Sequence, residues 1–194
     1  MKKIVLASNN EHKINEFKEI LKDYEILSLK DIGYEDDIVE DGNTFEDNAL
    51  IKAREVKKFL KDKDYLIIAD DSGLCVDSLD GEPGIYSARY AGGHGNSKAN
   101  RDKLIDKLKN KDDRNAYFLC CIVLYKNEDD YKFFIGKTYG TIIDQEKGDT
   151  SFGYDCIFLS NDLNKTFGEA SDEEKNSVSH RGRAIEKLVK ELTN

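Results

Sequence analysis

The 194-residue sequence contains no apolar run long enough to cross a bilayer, a single proline (Pro83) and only four cysteines. A membrane-spanning helix needs about 20 consecutive apolar residues, so no spanning segment and no membrane partner are expected. The opening "MKKIVLASNN" carries two lysines but only a short apolar run, which predicts a strand rather than a signal peptide and a cytoplasmic protein. Cys75, Cys120, Cys121 and Cys156 include no C-x-x-C pair, and the adjacent Cys120 and Cys121 would point to opposite faces of a strand. That spacing suits neither a disulfide scaffold nor a cysteine metal site, and reads as reduced core thiols. Basic residues are also in deficit: 30 Lys and Arg against 39 Asp and Glu leave a net charge of −9. Such a field repels polyphosphate and argues against nucleic acid as a partner, but it does not exclude a small anion met by local cations or a divalent metal. There is no repeat and no low-complexity linker, so the length suits one domain over 1–194.

What is present alternates between strand and helix patterns. "KIVLA" (3–7) predicts a first strand, followed by a helix over about 11–22 with Ile14, Phe17, Ile20 and Leu21 on one face, and a second strand over 24–29. After the acidic loop "YEDDIVEDGN" (34–43), a helix runs from Thr44 to about Lys61 with Phe45, Ala49, Ala53, Val56 and Leu60 as its buried stripe. Thr44 and Asp47 form its N-terminal cap. "SKANRDKLIDKLK" (97–109) predicts a polar covering helix, and 114–127 and 131–144 predict two long strands joined by the acidic turn "EDD". Ser171 and Glu174 make a capping box, and a last amphipathic helix buries Ile185, Leu188, Val189 and Leu192. The expected fold is α/β: a twisted mixed sheet with long strands, flanked by helices, in two lobes around a central cleft.

The chemistry-bearing segments each have a plain reading beside the functional one. "YLIIADDSGL" (65–74) is an apolar strand expected to stop at two adjacent carboxylates. Asp70 and Asp71 repel each other and cost desolvation, so either they sit on a solvated Asp-Ser-Gly turn or a cation offsets them. In an extended chain they face opposite ways, and ligand crevices of α/β sheets form at the carboxyl ends of strands. "SNNEHK" (8–13) leads into a helix N-terminus, where backbone N–H groups, the dipole and Lys13 make a phosphate cradle; otherwise Asn9 or Asn10 caps the helix and Lys13 is a surface residue. It is not a P-loop, because the loop has no glycine. Glu40 and Asp41 precede a helix, which suits the dipole, and either is available to share a divalent cation with the acids at 70–71. "SFGYDCIF" (151–158) reads as an aromatic strand with a glycine kink. "EEKNSVSHRGRA" (173–184) gathers Lys175, His180, Arg181 and Arg183 at a helix start, an unfavourable place for cations unless an anionic or carbonyl-bearing ligand meets them.

These segments, in this order and together with "DGNTFEDNALIKA" and "LDGEPGIYSARYAG", resemble the inosine triphosphate pyrophosphatase family, also described as XTP/dITP diphosphatases. The resemblance covers nearly the whole chain. It implies hydrolysis of noncanonical purine nucleoside triphosphates (ITP, dITP, XTP) to monophosphate and pyrophosphate with Mg²⁺, by attack of water at the α-phosphorus, in a homodimer. By match to the family's motifs it implies that Ser8, Asn9, Asn10, Glu11, His12 and Lys13 bind the triphosphate and that Lys52 supplies a second cation. Glu40 and Asp71 would hold the metal, Asp71 would also be the general base, and Ser72 would touch substrate. Phe152 would stack on the base with Gly153, Tyr154 and Asp155, and Lys175, His180 and Arg181 would complete that pocket. Two positions depart from the pattern: Asn9 stands where glycine is frequent, and Cys156 where proline is common. A Maf-type nucleotide pyrophosphatase and a non-catalytic nucleotide sensor are the competing readings. "ASNNEHK" lacks the serine- and arginine-rich loop of the first, and the intact acids and lysines count against the second.

Overall fold

Strand and helix periods that alternate from Lys2 onward resolve, in a computed structural model describing residues 2–61, 65–93 and 95–193, into six strands and five helices among the described residues. The strands are β1 (Lys2–Leu6), β2 (Tyr24–Leu27), β3 (Leu66–Val76), β4 (Asn115–Asn127), β5 (Asp130–Ile142) and β6 (Phe158–Ser160). The helices are α1 (Glu11–Ile20), α2 (Phe45–Leu60), α3 (Ser97–Leu108), α4 (Asp172–Val178) and α5 (His180–Thr193). All six strands form one sheet in the order β2-β1-β3-β4-β5-β6. β1 lies parallel to both β2 and β3, and β5 antiparallel to β6, so the sheet is mixed as expected and flanked by helices. Among the described residues no helix is long and apolar enough to cross a membrane. All four cysteines are buried, and no disulfide forms among the described residues.

The chain divides into two compact units. The first comprises Met1–Asp71, Cys120–Ile135 and Ala184–Asn194. From Ile4 in β1 and Ile67 in β3 these two strands are buried on both faces, because the pleat sends alternate side chains into different cores. Ile4, Leu6 and Ile68 join Ile14 and Phe17 of α1 and Ile185 and Leu188 of α5. Val5, Ile67 and Ala69 join Ala49, Ala53 and Val56 of α2. Thr44 caps α2, its Oγ1 accepting from the Asp47 N–H at 3.0 Å, and Asn10 caps α1 by accepting from the Lys13 N–H at 3.3 Å.

The second unit comprises Ser72–Leu119 and Gly136–Arg183. Leu74 and Val76, Leu104 and Leu108 of α3, Phe118, Ile142, Ile157 and Phe158 form its core. Here α3 is more than a polar cover. Asn100 and Arg101 are buried with the leucines, and Asn100 Oδ1 accepts from the Ala91 N–H at 2.7 Å, pinning the loop that follows the short 3-10 stretch Gly84–Arg89. The capping box at Ser171 and Glu174 is present at the start of α4.

Two expectations need correction. β3 does not stop at the carboxylates: it runs through Asp70 and Asp71 to Val76, because Leu74 and Val76 are themselves core residues and hold the chain extended. The Asp-Ser-Gly turn is therefore ruled out. "SFGYDCIF" is not one strand. Gly153 adopts φ +49°, the left-handed region that glycine tolerates, a 3-10 turn follows over Asp155–Ile157, and only then does the short β6 begin.

If residues 72–76 are core strand, Leu74→Ala should cost about 2–5 kcal/mol in urea unfolding. A loss below about 1 kcal/mol would return this segment to loop.

Candidate active site

In the first unit the pleat of β3 separates the two aspartates onto opposite faces of the sheet, where each meets a different helix. Asp70 belongs with Ile68 on the α1 side, and its Oδ2 accepts from Nζ of Lys13 at 2.8 Å. Asp71 belongs with Ala69 on the α2 side, and its Oδ2 accepts from Nδ2 of Asn48 at 3.0 Å. Lys52, one helical turn beyond Asn48, donates to the main-chain carbonyl of Asp70 and lies 3.2 Å from Oε1 of Glu40. Glu40, Lys52, Asp70, Asp71, Lys13 and Asn48 thus form one connected polar group, whose members come from the loop before α2, from α1 and α2, and from β3.

Burial sets the electrostatics of this group. Asp70, Asp71 and Lys52 are 1%, 8% and 7% exposed. Desolvation raises the pKa of Asp71; Lys52 and the Asn48 hydrogen bond oppose this, while Glu40 adds to it. For Lys52, burial is the largest effect and disfavours the ammonium, yet Asp70, Glu40 and Asp71 together outweigh it and the pKa rises. The lysine is held charged by three acids, and the acids are held in a buried place by the lysine.

The loop 8–13 is shaped by its own side chains. Ser8 Oγ accepts from the Asn10 N–H at 3.1 Å, and Asn9 Oδ1 accepts from the Lys30 N–H at 2.9 Å. Asn9 is therefore a tether between this loop and the segment after β2. Glu11 and His12 are exposed at the helix N-terminus. Lys13 is not the bare surface lysine of the plain reading.

In the second unit Lys175 Nζ pairs with the Asp155 carboxylate and sits 4.9 Å from the ring centre of Phe152. Phe152 is 39% exposed. Lys175 is also 5.8 Å from the ring of Phe167, which stacks on Phe118, and Phe118 stacks on His180 at 5.0 Å and 16°. Phe152, Asp155, Lys175 and His180 therefore belong to one aromatic and ionic cluster, with Arg181 buried beside His180 in the first turn of α5. Arg183, the other cation of this segment, is a structural group that donates to the Lys137 carbonyl at 2.8 Å and to Asp162 at 3.0 Å. Tyr154 is buried, its hydroxyl donating to the Ser87 carbonyl at 2.8 Å, while Ser72 is half-buried at the start of this unit.

Sequence reasoning missed two residues in these clusters. Arg101 donates to the Gly153 carbonyl and to Glu146, both at 2.7 Å, and so fixes the left-handed turn that presents Phe152. Asn48 was hidden inside a helix read for its apolar stripe. A signal existed for it: Asn48 and Lys52 are polar residues four apart along the edge of that stripe, a spacing that puts both on the buried face.

The oxygen donors of the first cluster suit a hard divalent cation, which takes one or two protein carboxylates and completes its shell with water and phosphate. Asp71 and Glu40 are the pair that fits: burial already strains the charge of Asp71, and a cation would relieve it. Among the described residues no three His, Cys, Asp or Glu side chains form a complete cage.

Lys52→Met, with metal removed by chelation, should destabilise the protein by about 3–5 kcal/mol at pH 8, because breaking a buried pair leaves uncompensated charge. Lys52 lowers the Asp71 pKa. Its loss raises that pKa further, the native state then binds a proton more readily than the unfolded chain, and the destabilisation should shrink toward pH 5. Urea unfolding at the two pH values checks this, and equal losses at both would contradict the compensation.

Comparison with known proteins agrees across the whole chain. Residues 4–191 match the model of the Ham1 family. The dITP/XTP pyrophosphatase of Clostridium perfringens is 51% identical over 199 aligned positions, which cover 99% of this chain and 98% of that protein. Its counterpart in Clostridium tetani is 45% identical, covering 99% and 96% of the two chains. Among solved structures, the Staphylococcus aureus Ham1 protein superposes with a TM-score of 0.90 at 45% identity, covering 99% of this chain and 98% of that one. A HAM1 protein from Coxiella burnetii gives 0.91 at 37% identity, covering 100% and 99%.

Proposed function

Since this chain belongs to the Ham1 family, we propose that it is a nucleoside triphosphate pyrophosphatase that converts ITP, dITP and XTP to their monophosphates and pyrophosphate. The observation that carries this reading is the buried group in which two lysines and an amide surround Asp70 and Asp71 in the middle of β3. The reading assigns the triphosphate to that group and to residues 8–13, and the purine to the cluster around Phe152. The whole of residues 1–194 then serves as one functional domain.

Phosphoryl transfer is catalysed chiefly by placing the reactants and neutralising charge. Lys13 and the N–H groups at the start of α1 bind phosphate oxygens, and Lys52 supplies a second fixed cation. Magnesium, held by Glu40 and Asp71, would neutralise phosphate oxygens and the departing pyrophosphate. Asp71 orients a water molecule toward the α-phosphorus and takes its proton. A new bond forms from that oxygen to phosphorus, and the bond to the bridging oxygen of the β-phosphate breaks. Asp70, tied to Lys13, fixes the position of the lysine.

Selectivity follows from donor chemistry in the second cluster. Hypoxanthine and xanthine present a 6-oxo acceptor, adenine a 6-amino donor. Arg181 carries donors only, so an adenine 6-amino group facing it would offer no acceptor, at a cost of about 1–3 kcal/mol. Phe152 offers its exposed face to stack on the purine, with Lys175 and His180 at the margins.

Incubation with ITP, XTP, dITP, GTP, ATP and CTP in the presence of Mg²⁺, with identification of products, tests the reading. IMP and pyrophosphate from ITP, formed far faster than AMP from ATP, are expected; orthophosphate release, preference for CTP or binding without turnover would overturn it. Asp71→Asn should bind ITP but lose at least about a hundredfold in kcat, given the usual worth of a general base. Arg181→Ala should narrow the ITP-to-ATP preference in kcat/KM by about tenfold or more, which corresponds to one buried hydrogen bond. The resemblance also implies a homodimer, which sedimentation of the purified chain tests.

A further inference from the structure

Two side chains of α2 join the loop that carries Glu40 to β3: Lys52, through Glu40 itself and the Asp70 carbonyl, and Asn48, which alone of the two bonds the Asp71 carboxylate. Asn48 is fully buried on α2 and uses both ends of its amide: Oδ1 accepts from the Gly42 N–H at 2.9 Å, and Nδ2 donates to Asp71 Oδ2 at 3.0 Å. Gly42 is two residues from Glu40, and the loop is pressed close at that point. A Cβ on Gly42 would fall 2.7 Å from Asn48 Oδ1 and 2.6 Å from Asp47 Cβ. The backbone reaches Asn48 because residue 42 has no side chain.

A buried asparagine that only needed satisfaction could take any two partners. This one takes its two from the segments that bear the two proposed metal ligands, and one turn later on the same helix Lys52 pairs with Glu40. Its chemistry also suits the place. An amide donates to one acid and accepts from a main-chain N–H without adding a charge to a group that already holds three carboxylates.

We propose that Asn48 is a positioning residue, which through Gly42 sets the Glu40 loop against Asp71 so that both carboxylates reach one divalent cation. The inference rests on the pyrophosphatase reading above for the identity of the two ligands. Residues that orient metal ligands commonly matter by about 10–100-fold in metal affinity or activity, and the link predicts an effect of that size from either of its ends.

The test compares wild type, Asn48→Ala, Gly42→Ala and the double variant. Mn²⁺ affinity without nucleotide is read by electron paramagnetic resonance, together with the Mg²⁺ concentration giving half-maximal ITP hydrolysis, KM for ITP at saturating Mg²⁺ and the far-UV circular dichroism melt. Each single variant should weaken Mn²⁺ binding by about tenfold or more and raise the Mg²⁺ requirement in parallel, with KM for ITP at saturating Mg²⁺ little changed. The double variant should match Asn48→Ala, because both substitutions cut one link. Wild-type Mn²⁺ affinity in a folded Asn48→Ala protein would overturn the proposal, as would losses that multiply in the double variant. If Asn48→Ala does not fold, Gly42→Ala decides alone, and unchanged Mn²⁺ binding in it counts against the link. A wild type that binds Mn²⁺ but never hydrolyses ITP would sink the pyrophosphatase reading, and the Mn²⁺ comparison would still decide the link.

Discussion

Charge compensation around Asp70 and Asp71 is the constraint on which the rest of the first unit depends. Two neighbouring carboxylates in a strand buried on both faces would, without partners, cost several kcal/mol each in lost hydration. The pleat makes the arrangement tenable by sending one acid to the α1 side and the other to the α2 side, so they do not share one environment. Each then meets its own partner, Lys13 for Asp70 and Asn48 for Asp71, while Lys52 is drawn toward both and toward Glu40. Such a network is worth most when every member is satisfied and becomes a liability when one is lost. The acids, the two lysines and Asn48 are for that reason one structural problem with one solution.

The second unit solves a different problem, the presentation of an aromatic face. Phe152 is kept exposed by a left-handed glycine turn whose carbonyl is held by the buried Arg101, while Lys175 sits over the ring and is itself paired with Asp155. The stacked rings Phe167, Phe118 and His180 carry the packing from this turn to the start of α5. Arg181 and Arg183 stand at that helix start against its dipole, beside His180, which stacks on Phe118.

Most of the fold was legible because its elements follow one period at a time. β1, α1 and α2 declare themselves through apolar spacing and caps, and the helix ends fell within two residues of expectation. The continuation of β3 was not legible, since Asp-Asp-Ser-Gly is turn-like locally, and only the burial of Leu74 and Val76 in the second unit's core overrides that preference. β6 was hidden because three residues paired to β5 leave no periodic trace. For the candidate site, charged residues in short motifs stood out, whereas Asn48 and Arg101 act through main-chain partners at Gly42 and Gly153 that no pattern of side chains reveals. The departure at Asn9 acquired a meaning only in three dimensions, as a tether to Lys30.

The functional account reduces to one claim: the cost of burying Asp71 is relieved when a single divalent cation, shared with Glu40, and a triphosphate arrive together. High-resolution diffraction from crystals grown with Mg²⁺ and a non-hydrolysable ITP analogue measures this directly. The account predicts one ion with carboxylate oxygens of both Glu40 and Asp71 at about 2.0–2.1 Å, the coordination distance for magnesium, and phosphate oxygens completing its shell. An ion bound without either carboxylate, or a triphosphate seated away from Lys13 and Lys52, would contradict it.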